Sequence, residues 1–184
     1  MSSTLVGTSL VALLLVIGGP AQAEDTLPAM PIPTLSFDGA QESSSVSFSV
    51  PAGTYKTLQG TKVTYAAAAT WTCVGNNDSP HWSSNSASVI AKVRVHCSGP
   101  SGVISVRVYS LLGRGSTPVS LSIVAQSDYI QGVTVGGNQT TWYVPALNSG
   151  THIPAGAWFR GSHSMAIWPN GSIGSGASNI VYIG

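Results

Sequence analysis

Charged residues are the scarcest class in this sequence, and their scarcity excludes several kinds of protein. Of 184 residues, 7 are Lys or Arg and 6 are Asp or Glu, so 7% carry a formal charge, against roughly 25% in an average soluble domain. Seven cations facing six anions cannot form the strong basic patch of a nucleic-acid-binding protein. Coiled coils and charged disordered chains need Glu and Lys in bulk, so they are excluded too. A small, nearly neutral globular domain remains.

Long apolar runs are also missing, apart from one short run near the N-terminus. Residues 10–17 (LVALLLVI) are apolar, but a helix needs about 20 such residues to cross a bilayer. Gly-Gly-Pro at 18–20 ends the run, and Ala-Gln-Ala at 21–23 provides the small-x-small pattern that signal peptidase cleaves. We therefore predict a signal peptide over residues 1–23, cleaved after Ala23. The mature chain is expected to be secreted, extracellular and without a transmembrane segment.

Proline divides the rest of the chain into two parts. Residues 24–34 (EDTLPAMPIPT) contain three closely spaced prolines, and proline favours extended backbone without regular secondary structure. We predict an N-terminal arm there. Residues 35–184 have the length of one domain with a hydrophobic core, so a single all-β domain is expected.

Only two cysteines are present, Cys73 and Cys97, and both lie in the predicted mature chain. In an oxidising compartment such a pair predicts a disulfide bond, here closing a loop of about 25 residues. A metal site is the alternative, but two distant cysteines without a Cys-x-x-Cys motif do not favour it. His96 adjoins Cys97, yet neighbours on a strand face opposite ways. We expect a disulfide, no metal and no cofactor.

Helical periodicity is absent, and apolar residues alternate with polar ones almost throughout. In residues 89–97, Val93 and Cys97 take one face of the predicted strand, whereas Lys92 and Arg94 take the other. Turn-forming residues separate about nine to ten such runs. This pattern predicts an all-β protein, either an antiparallel β-sandwich or a partly closed barrel of short strands. The later strands are expected at 103–112, 119–125, 129–135, 140–144, 157–160, 164–168 and 179–183.

One stretch of the chain carries a family resemblance. It contains Trp-Thr-Cys at 71–73, Pro-His-Trp-Ser at 80–83, a predicted strand ending at Cys97 and an alternating strand ending at Arg114. This arrangement resembles small secreted proteins of actinobacteria, a group without an assigned activity. The resemblance covers residues 71–114. It implies an exported, disulfide-bonded protein of Gram-positive type, and it implies no chemistry.

Motifs for catalysis are missing too. Neither Gly-x-Ser-x-Gly nor Gly-Asp-Ser-Gly, which are typical of serine hydrolases, occurs. The acids after the arm are Asp38, Glu42, Asp78 and Asp128, and none lies in a recognisable glycosidase motif. His-x-His and His-Glu-x-x-His are absent, so the histidines at 81, 96, 152 and 163 are expected to be solvated loop residues. We predict no catalytic residue and no enzymatic activity.

The best candidate for a binding site is the segment 75–88 (GNNDSPHWSSNSAS), which we predict to be a loop held at its base by the disulfide. Its candidate binding residues are Asn76, Asn77, Asp78, His81 and Trp82. An aromatic ring beside amides and a carboxylate is typical of a sugar-binding platform, because the ring stacks on the sugar and the polar groups bind its hydroxyls. In the alternative interpretation, Trp82 packs into the core and the other side chains are solvated.

A second candidate is the segment 157–171, which holds Trp158, Arg160, His163 and Trp168. On a strand, alternation would send at least one of the two Trp side chains into the core.

Function follows from the sequence only in outline. A disulfide-bonded β scaffold with few charges and an aromatic, polar segment predicts a non-catalytic binding module for cell-wall glycan or a surface partner. The alternatives are a structural or self-associating cell-surface protein and a secreted hydrolase. Nucleic acid is not an expected partner. One weakly basic face is expected on two neighbouring strands, from Lys92, Arg94, Arg107 and Arg114.

Overall fold

A computed structural model describes residues 32–33, 43–56, 62–167 and 172–184. The predicted signal peptide, most of the predicted arm and Trp168 lie outside the described residues. The part of the chain that is described contains no helix and is built from strands. It therefore contains no helix long and apolar enough to cross a membrane.

The described strands number eleven. They are β1 (Ser43–Val50), β2 (Gly53–Lys56), β3 (Lys62–Tyr65), β4 (Ala69–Ser83), β5 (Ser88–Ser98), β6 (Val103–Thr117), β7 (Ser120–Thr134), β8 (Thr140–Val144), β9 (Ala157–Ile167), β10 (Ser172–Ala177) and β11 (Val181–Ile183).

These strands form two larger sheets and one small hairpin. Sheet 1 has the order β1-β4-β5-β8, and sheet 2 has the order β10-β9-β6-β7, with β11 also pairing with β9. The strands β2 and β3 pair separately. All of these pairings are antiparallel. Because the two sheets stay separate within the described residues, the prediction of an antiparallel β-sandwich is confirmed, and the fold is not a closed barrel.

Alternation along the strands builds the core between the two sheets. On β5, Val93, Val95 and Cys97 are buried, whereas Lys92 and Arg94 are half-buried on the opposite face. The larger apolar cluster combines inward side chains of both sheets, among them Phe48, Trp71, Val95, Val106 and Met165. A smaller cluster around Val89, Leu112 and Phe159 lies nearer the other end of the sandwich. The period-two pattern therefore places the apolar side chains where burial stabilises the fold.

The predicted disulfide is confirmed. Cys73 on β4 and Cys97 on β5 are directly opposite in register, both are fully buried, and their Cα atoms are 4.1 Å apart. Trp71 packs beside them: its ring stacks on Phe48 with centroids 5.3 Å apart, and its Nε1 donates to the Pro100 carbonyl at 3.1 Å. The disulfide therefore lies in the apolar core, on the inner face of sheet 1.

The prediction of a loop at residues 75–88 is wrong. Strand β4 continues to Ser83, residues 84–87 form a tight turn, and β5 starts at Ser88. The register shifts between Asp78 and His81, so a bulge accommodates the proline in the middle of the strand. The polar side chains that suggested a loop mostly occupy positions turned away from the core, where a strand accepts them equally well.

Sheet 2 joins strands that were expected to be separate. Residues 120–134 form one strand, β7, which pairs along β6 with two register shifts, and residues 157–167 form another, β9, which pairs with β6 without a shift. The expected basic face is also wrong. Strands β5 and β6 belong to different sheets, and Arg94 pairs with Asp78 while Arg107 pairs with Asp128.

Side chains of β7, an edge strand of sheet 2, form hydrogen bonds with the backbone of β8, an edge strand of sheet 1. The Tyr129 hydroxyl accepts the Tyr143 backbone N–H at 2.8 Å, and Ser127 Oγ donates to the Tyr143 carbonyl at 2.8 Å. Gln131 donates to the Thr141 carbonyl at 3.3 Å. These bonds connect the two sheets at one edge and fix where the chain leaves β8.

The chain after β8 returns to the start of β5. The Val89 N–H donates to the Ile153 carbonyl at 2.9 Å, and the Ile153 N–H donates to Ser88 Oγ at 2.8 Å. We name residues 145–152, between β8 and this anchor, the crossing segment. Both of its ends are fixed by backbone hydrogen bonds or pairing, so its position beside sheet 1 is defined.

Candidate functional site

The five predicted binding residues do not form one site, because strand alternation divides them. Asn77 points into the sandwich and is buried, whereas Asn76 and Asp78 lie on the outer face of sheet 1. His81 and Trp82 follow the bulge near the β4–β5 turn. His81 donates from Nδ1 to the Ser79 carbonyl at 3.1 Å, and Trp82 is 45% exposed.

The inward Asn77 belongs to a buried polar group centred on His163. The Asn77 Nδ2 donates to His163 Nδ1 at 2.8 Å. Because Nδ1 accepts, the neutral imidazole carries its proton on Nε2, which donates to Ser44 Oγ at 2.9 Å. These bonds join β1 and β4 of sheet 1 to β9 of sheet 2. His163 is fully buried, which contradicts the expectation of a solvated loop histidine.

Burial sets the protonation state of this histidine. Desolvation lowers the pKa of His163 to about 4, because the charged imidazolium loses its hydration in the interior. The His163 ring also packs closely against the backbone of Gly75. A Cβ at Gly75 would lie 3.0 Å from both His163 Nε2 and Met165 Sδ, so glycine at this position leaves room for the imidazole.

Ser44, His163 and Asn77 follow one another as a hydroxyl, an imidazole and an amide, as in nucleophilic hydrolases, but the hydrogen bonds run the other way. His163 Nε2 donates to Ser44 Oγ, whereas the base of a hydrolase accepts the hydroxyl proton at that nitrogen. All three side chains are buried between the sheets. A substrate cannot reach Ser44 without separating β1 from sheet 2. The group therefore serves to satisfy polar atoms in the core and to connect the two sheets.

The outer face of sheet 1 carries the accessible charges of the first candidate. Arg94 binds both carboxylate oxygens of Asp78 from Nε, at 3.0 and 2.9 Å, and its NH2 group lies 2.8 Å from Asp78 Oδ2. This bond and the charge of Asp78 raise the pKa of Arg94. Next to this pair, Lys92 Nζ lies 5.8 Å from the centroid of the Tyr143 ring. The face thus presents a paired carboxylate, a cation and a flat aromatic side by side.

A cavity of about 580 Å³ lies between this face and the crossing segment. Tyr143 and Lys92 line one side of it, and His152 lines the other. The Trp82 ring meets the His152 ring edge-on, with centroids 6.1 Å apart, so Trp82 stands beside this cavity. The remaining polar lining consists of short hydroxyl and amide side chains from Ser83, Asn85, Ser86, Asn148, Ser149 and Thr151.

A second cavity, of about 560 Å³, lies on the other side of Ala146 and Leu147. It is lined by Asp128, Tyr129, Gln131 and Thr141, and it shares Tyr143 with the first cavity. Together the two cavities and Trp82 make a continuous surface around the crossing segment, which we name the crossing-segment surface. Aromatic rings lie within reach of many neutral hydrogen-bonding groups there, which is the composition of a saccharide site.

Sequence reasoning placed Trp82 near this surface but missed its other components. Tyr143 follows Trp142 in a strand-like run, and alternation already indicated that one of the two faces outward. The crossing segment carried no such signal, because its position depends on bonds between residues far apart in sequence, such as Ile153 and Ser88.

The second predicted candidate is also divided. Trp158 and Arg160 lie on the outer face of β9, whereas His163 points inward. Within the described residues, no group of three or more His, Cys, Asp or Glu side chains is arranged to hold a metal ion.

Comparison with known proteins adds no relative: no family model, no curated protein and no solved structure matches this chain.

Proposed function

We propose that this protein is a secreted, non-catalytic binding module that recognises neutral glycan of the cell wall through its crossing-segment surface. The observation that carries the proposal is the grouping of Tyr143, Lys92 and Trp82 around a cavity lined by hydroxyl and amide groups. Aromatic rings stack on the apolar faces of sugars, and short polar side chains bind their hydroxyls. Most of this lining is uncharged, which suits a neutral polymer.

Two further features support a role outside the cell. The buried disulfide between Cys73 and Cys97 is typical of proteins that fold in an oxidising compartment. The signal-peptide pattern at residues 1–23 is the second feature, and with it we propose export and cleavage after Ala23. The non-catalytic assignment is supported by the burial of Ser44, which keeps the hydroxyl–imidazole–amide group away from any substrate.

Replacing Trp82 or Tyr143 by alanine is expected to weaken retention on insoluble peptidoglycan about tenfold, or ~1.4 kcal/mol. Each substitution removes a ring bordering the cavity and leaves the backbone pairing of β4, β5 and β8 intact. Pull-down across a protein concentration series measures the change. Ile123→Ala is the control, because Ile123 is an exposed apolar side chain on β7 of sheet 2.

The possible outcomes test the location of the binding site and the class of ligand independently. If wild type and Ile123→Ala bind while Trp82→Ala and Tyr143→Ala are weakened, the proposal holds. If all four proteins bind equally, the crossing-segment surface is not the site. If the wild type binds neither peptidoglycan nor any neutral oligosaccharide on a glycan array, the proposed function is overturned.

A further inference from the structure

The outer face of β9 carries a buried cation that the proposed glycan site does not use. Arg160 is only 3% exposed. Its neighbours Phe159 and Gly161 face the interior, since Phe159 is a core residue and a Cβ at Gly161 would lie 2.8 Å from Ala91. Arg160 therefore lies on the face of sheet 2 that points away from sheet 1.

The guanidinium of Arg160 is incompletely bonded. Its Nε donates to the Ser178 carbonyl at 3.0 Å, whereas its buried Nη1 has no hydrogen-bond partner in the described part of the chain. Desolvation lowers the pKa of Arg160, and the ion pairs found among the described residues join other arginines to Asp78 and Asp128. An arginine keeps its proton even when buried, so a positive charge remains there without a described anion.

Ser162 provides a second unused donor on the same face. It follows Arg160 by two residues, so the two side chains start about 7 Å apart on one side of the strand. Ser162 is 1% exposed, and its Oγ also has no partner among the described residues. The next serine in this row differs, because Ser164 Oγ bonds Ser175 Oγ at 2.9 Å. On this face of sheet 2, the buried donors without a partner among the described residues are therefore those of Arg160 and Ser162. The other two, Ser110 Oγ and Arg114 Nε, belong to residues that lie opposite the inward-facing His163 and Phe159.

An aromatic pair borders this position. Trp158 precedes Arg160 by two residues on the same face, and its ring meets the Tyr182 ring edge-on with centroids 5.6 Å apart. Tyr182 is 58% exposed and Trp158 is half-buried, so this aromatic pair is open to solvent. A ring-bearing solute could pack on these rings, and its charged group would enter the Arg160 position only if the side chains covering the guanidinium moved aside.

From these observations we infer that Arg160 and Ser162 form a binding site for an oxyanion, carboxylate or phosphate, carried by a small ring-bearing molecule. Leaving a buried charge and a buried hydroxyl unpaired costs free energy, whereas an oxyanion would accept hydrogen bonds from both and neutralise the guanidinium. The site lies on β9, which contributes no residue to the two cavities of the crossing-segment surface, and it is independent of the proposed function.

The test titrates the full exported chain with glucuronate and with glucose 1-phosphate, followed by calorimetry, with glucose as the uncharged control. We expect at least one of the two acids to bind more tightly than glucose, which lacks the oxyanion. The acid that binds identifies the oxyanion as carboxylate or phosphate. Arg160→Met is expected to weaken that binding at least thirtyfold, and Ser162→Ala about fivefold. Val103→Ala is the matched control, because Val103 is exposed and lies at the opposite end of β6 from Gly113, which pairs with Arg160; this variant should bind the acid as the wild type does.

A second measurement distinguishes this role from a purely structural one. Arg160→Met removes an uncompensated buried charge, so the unliganded variant should unfold at an equal or higher urea concentration than the wild type. If that variant does not fold, Ser162→Ala carries the binding test alone. The inference is overturned if neither acid binds the wild type, or if the folded variants bind the acid as tightly as the wild type. Peptidoglycan retention by Arg160→Met should be unchanged, which separates this result from the glycan proposal.

Discussion

Lowering the pH from 7.5 to about 4 is expected to destabilise the folded protein by roughly 3 kcal/mol through His163 alone. Burial lowers the pKa of His163 from 6.5 to about 4 in the folded state. Between these two values the unfolded chain takes up a proton that the folded chain excludes. The contribution to stability is therefore complete above pH 6.5, declines as the pH falls, and is lost once the pH passes below about 4.

The hydrogen bonds of His163 explain why the fold cannot accept that proton easily. A proton on Nδ1 would face the donating amide of Asn77, which already occupies that nitrogen at 2.8 Å. The imidazolium would also sit between the sheets, where the fully buried Cys73 and Met165 are among the core side chains. Protonation therefore costs a hydrogen bond as well as desolvation.

Urea unfolding at pH 7.5 and pH 4.5 measures this effect. The matched control is His152→Gln, because His152 is exposed and this variant should keep the pH dependence of the wild type. His163→Gln should be less stable at pH 7.5 and lose less stability on acidification than His152→Gln does. An NMR titration of the wild-type His163 ring adds an independent measurement. A midpoint near 6.5 would contradict the buried, neutral assignment.

The parts of the fold that could be predicted are those that depend on local alternation. Val93, Cys97 and Lys92 take their faces from the period of two along one strand, and nothing distant is needed to assign them. The disulfide follows from the same pattern, because Cys73 and Cys97 fall on the apolar faces of two successive strands. The number of turn signals then favours an antiparallel sandwich.

The loop predicted at 75–88 shows where composition misleads. Its Asn, Asp and Ser residues are typical of loops, but on a two-sided strand half of the positions face outward and tolerate them. Asn77 is the informative exception, because it faces the core and is satisfied by His163, 86 residues away in sequence. No local pattern indicates a partner at that distance, so the buried polar group could not be predicted.

In the second candidate segment, the number of residues between two positions already indicates whether their side chains share a face of the strand. Arg160 and His163 differ by an odd number of positions, so a continuous strand must send them to opposite faces. Treating residues 157–160 and 164–168 as separate strands hid this relation. Trp158, Arg160 and Ser162 share one parity, and that set is the one which the structure places together on the outer face of β9.

Removing the disulfide is the change with the largest expected effect. The double substitution of Cys73 and Cys97 by alanine should lower the free energy of unfolding by roughly 3.5 kcal/mol, the value that chain entropy gives for a loop of about 25 residues. Cys73 and Cys97 already face each other across paired strands β4 and β5. The bridge therefore adds little order to the folded state, and its main effect is to restrict the unfolded chain.

The oxidised and reduced wild-type proteins provide the matched comparison, because they have identical side chains and differ only in the bond. Both thiol positions are fully buried, so a reducing agent should act on the folded protein only as fast as the sandwich opens. Urea unfolding should give similar free energies of unfolding for the reduced wild type and the double variant. The oxidised wild type should have a clearly higher free energy of unfolding than either. Equal stability of all three would show that sheet pairing alone holds the hairpin, and free thiols in the native protein would contradict the bond itself. Trp82 lies near the turn end of this hairpin, far from Cys73 along β4. The double variant, where it folds, should therefore keep the proposed glycan binding while its stability is lower.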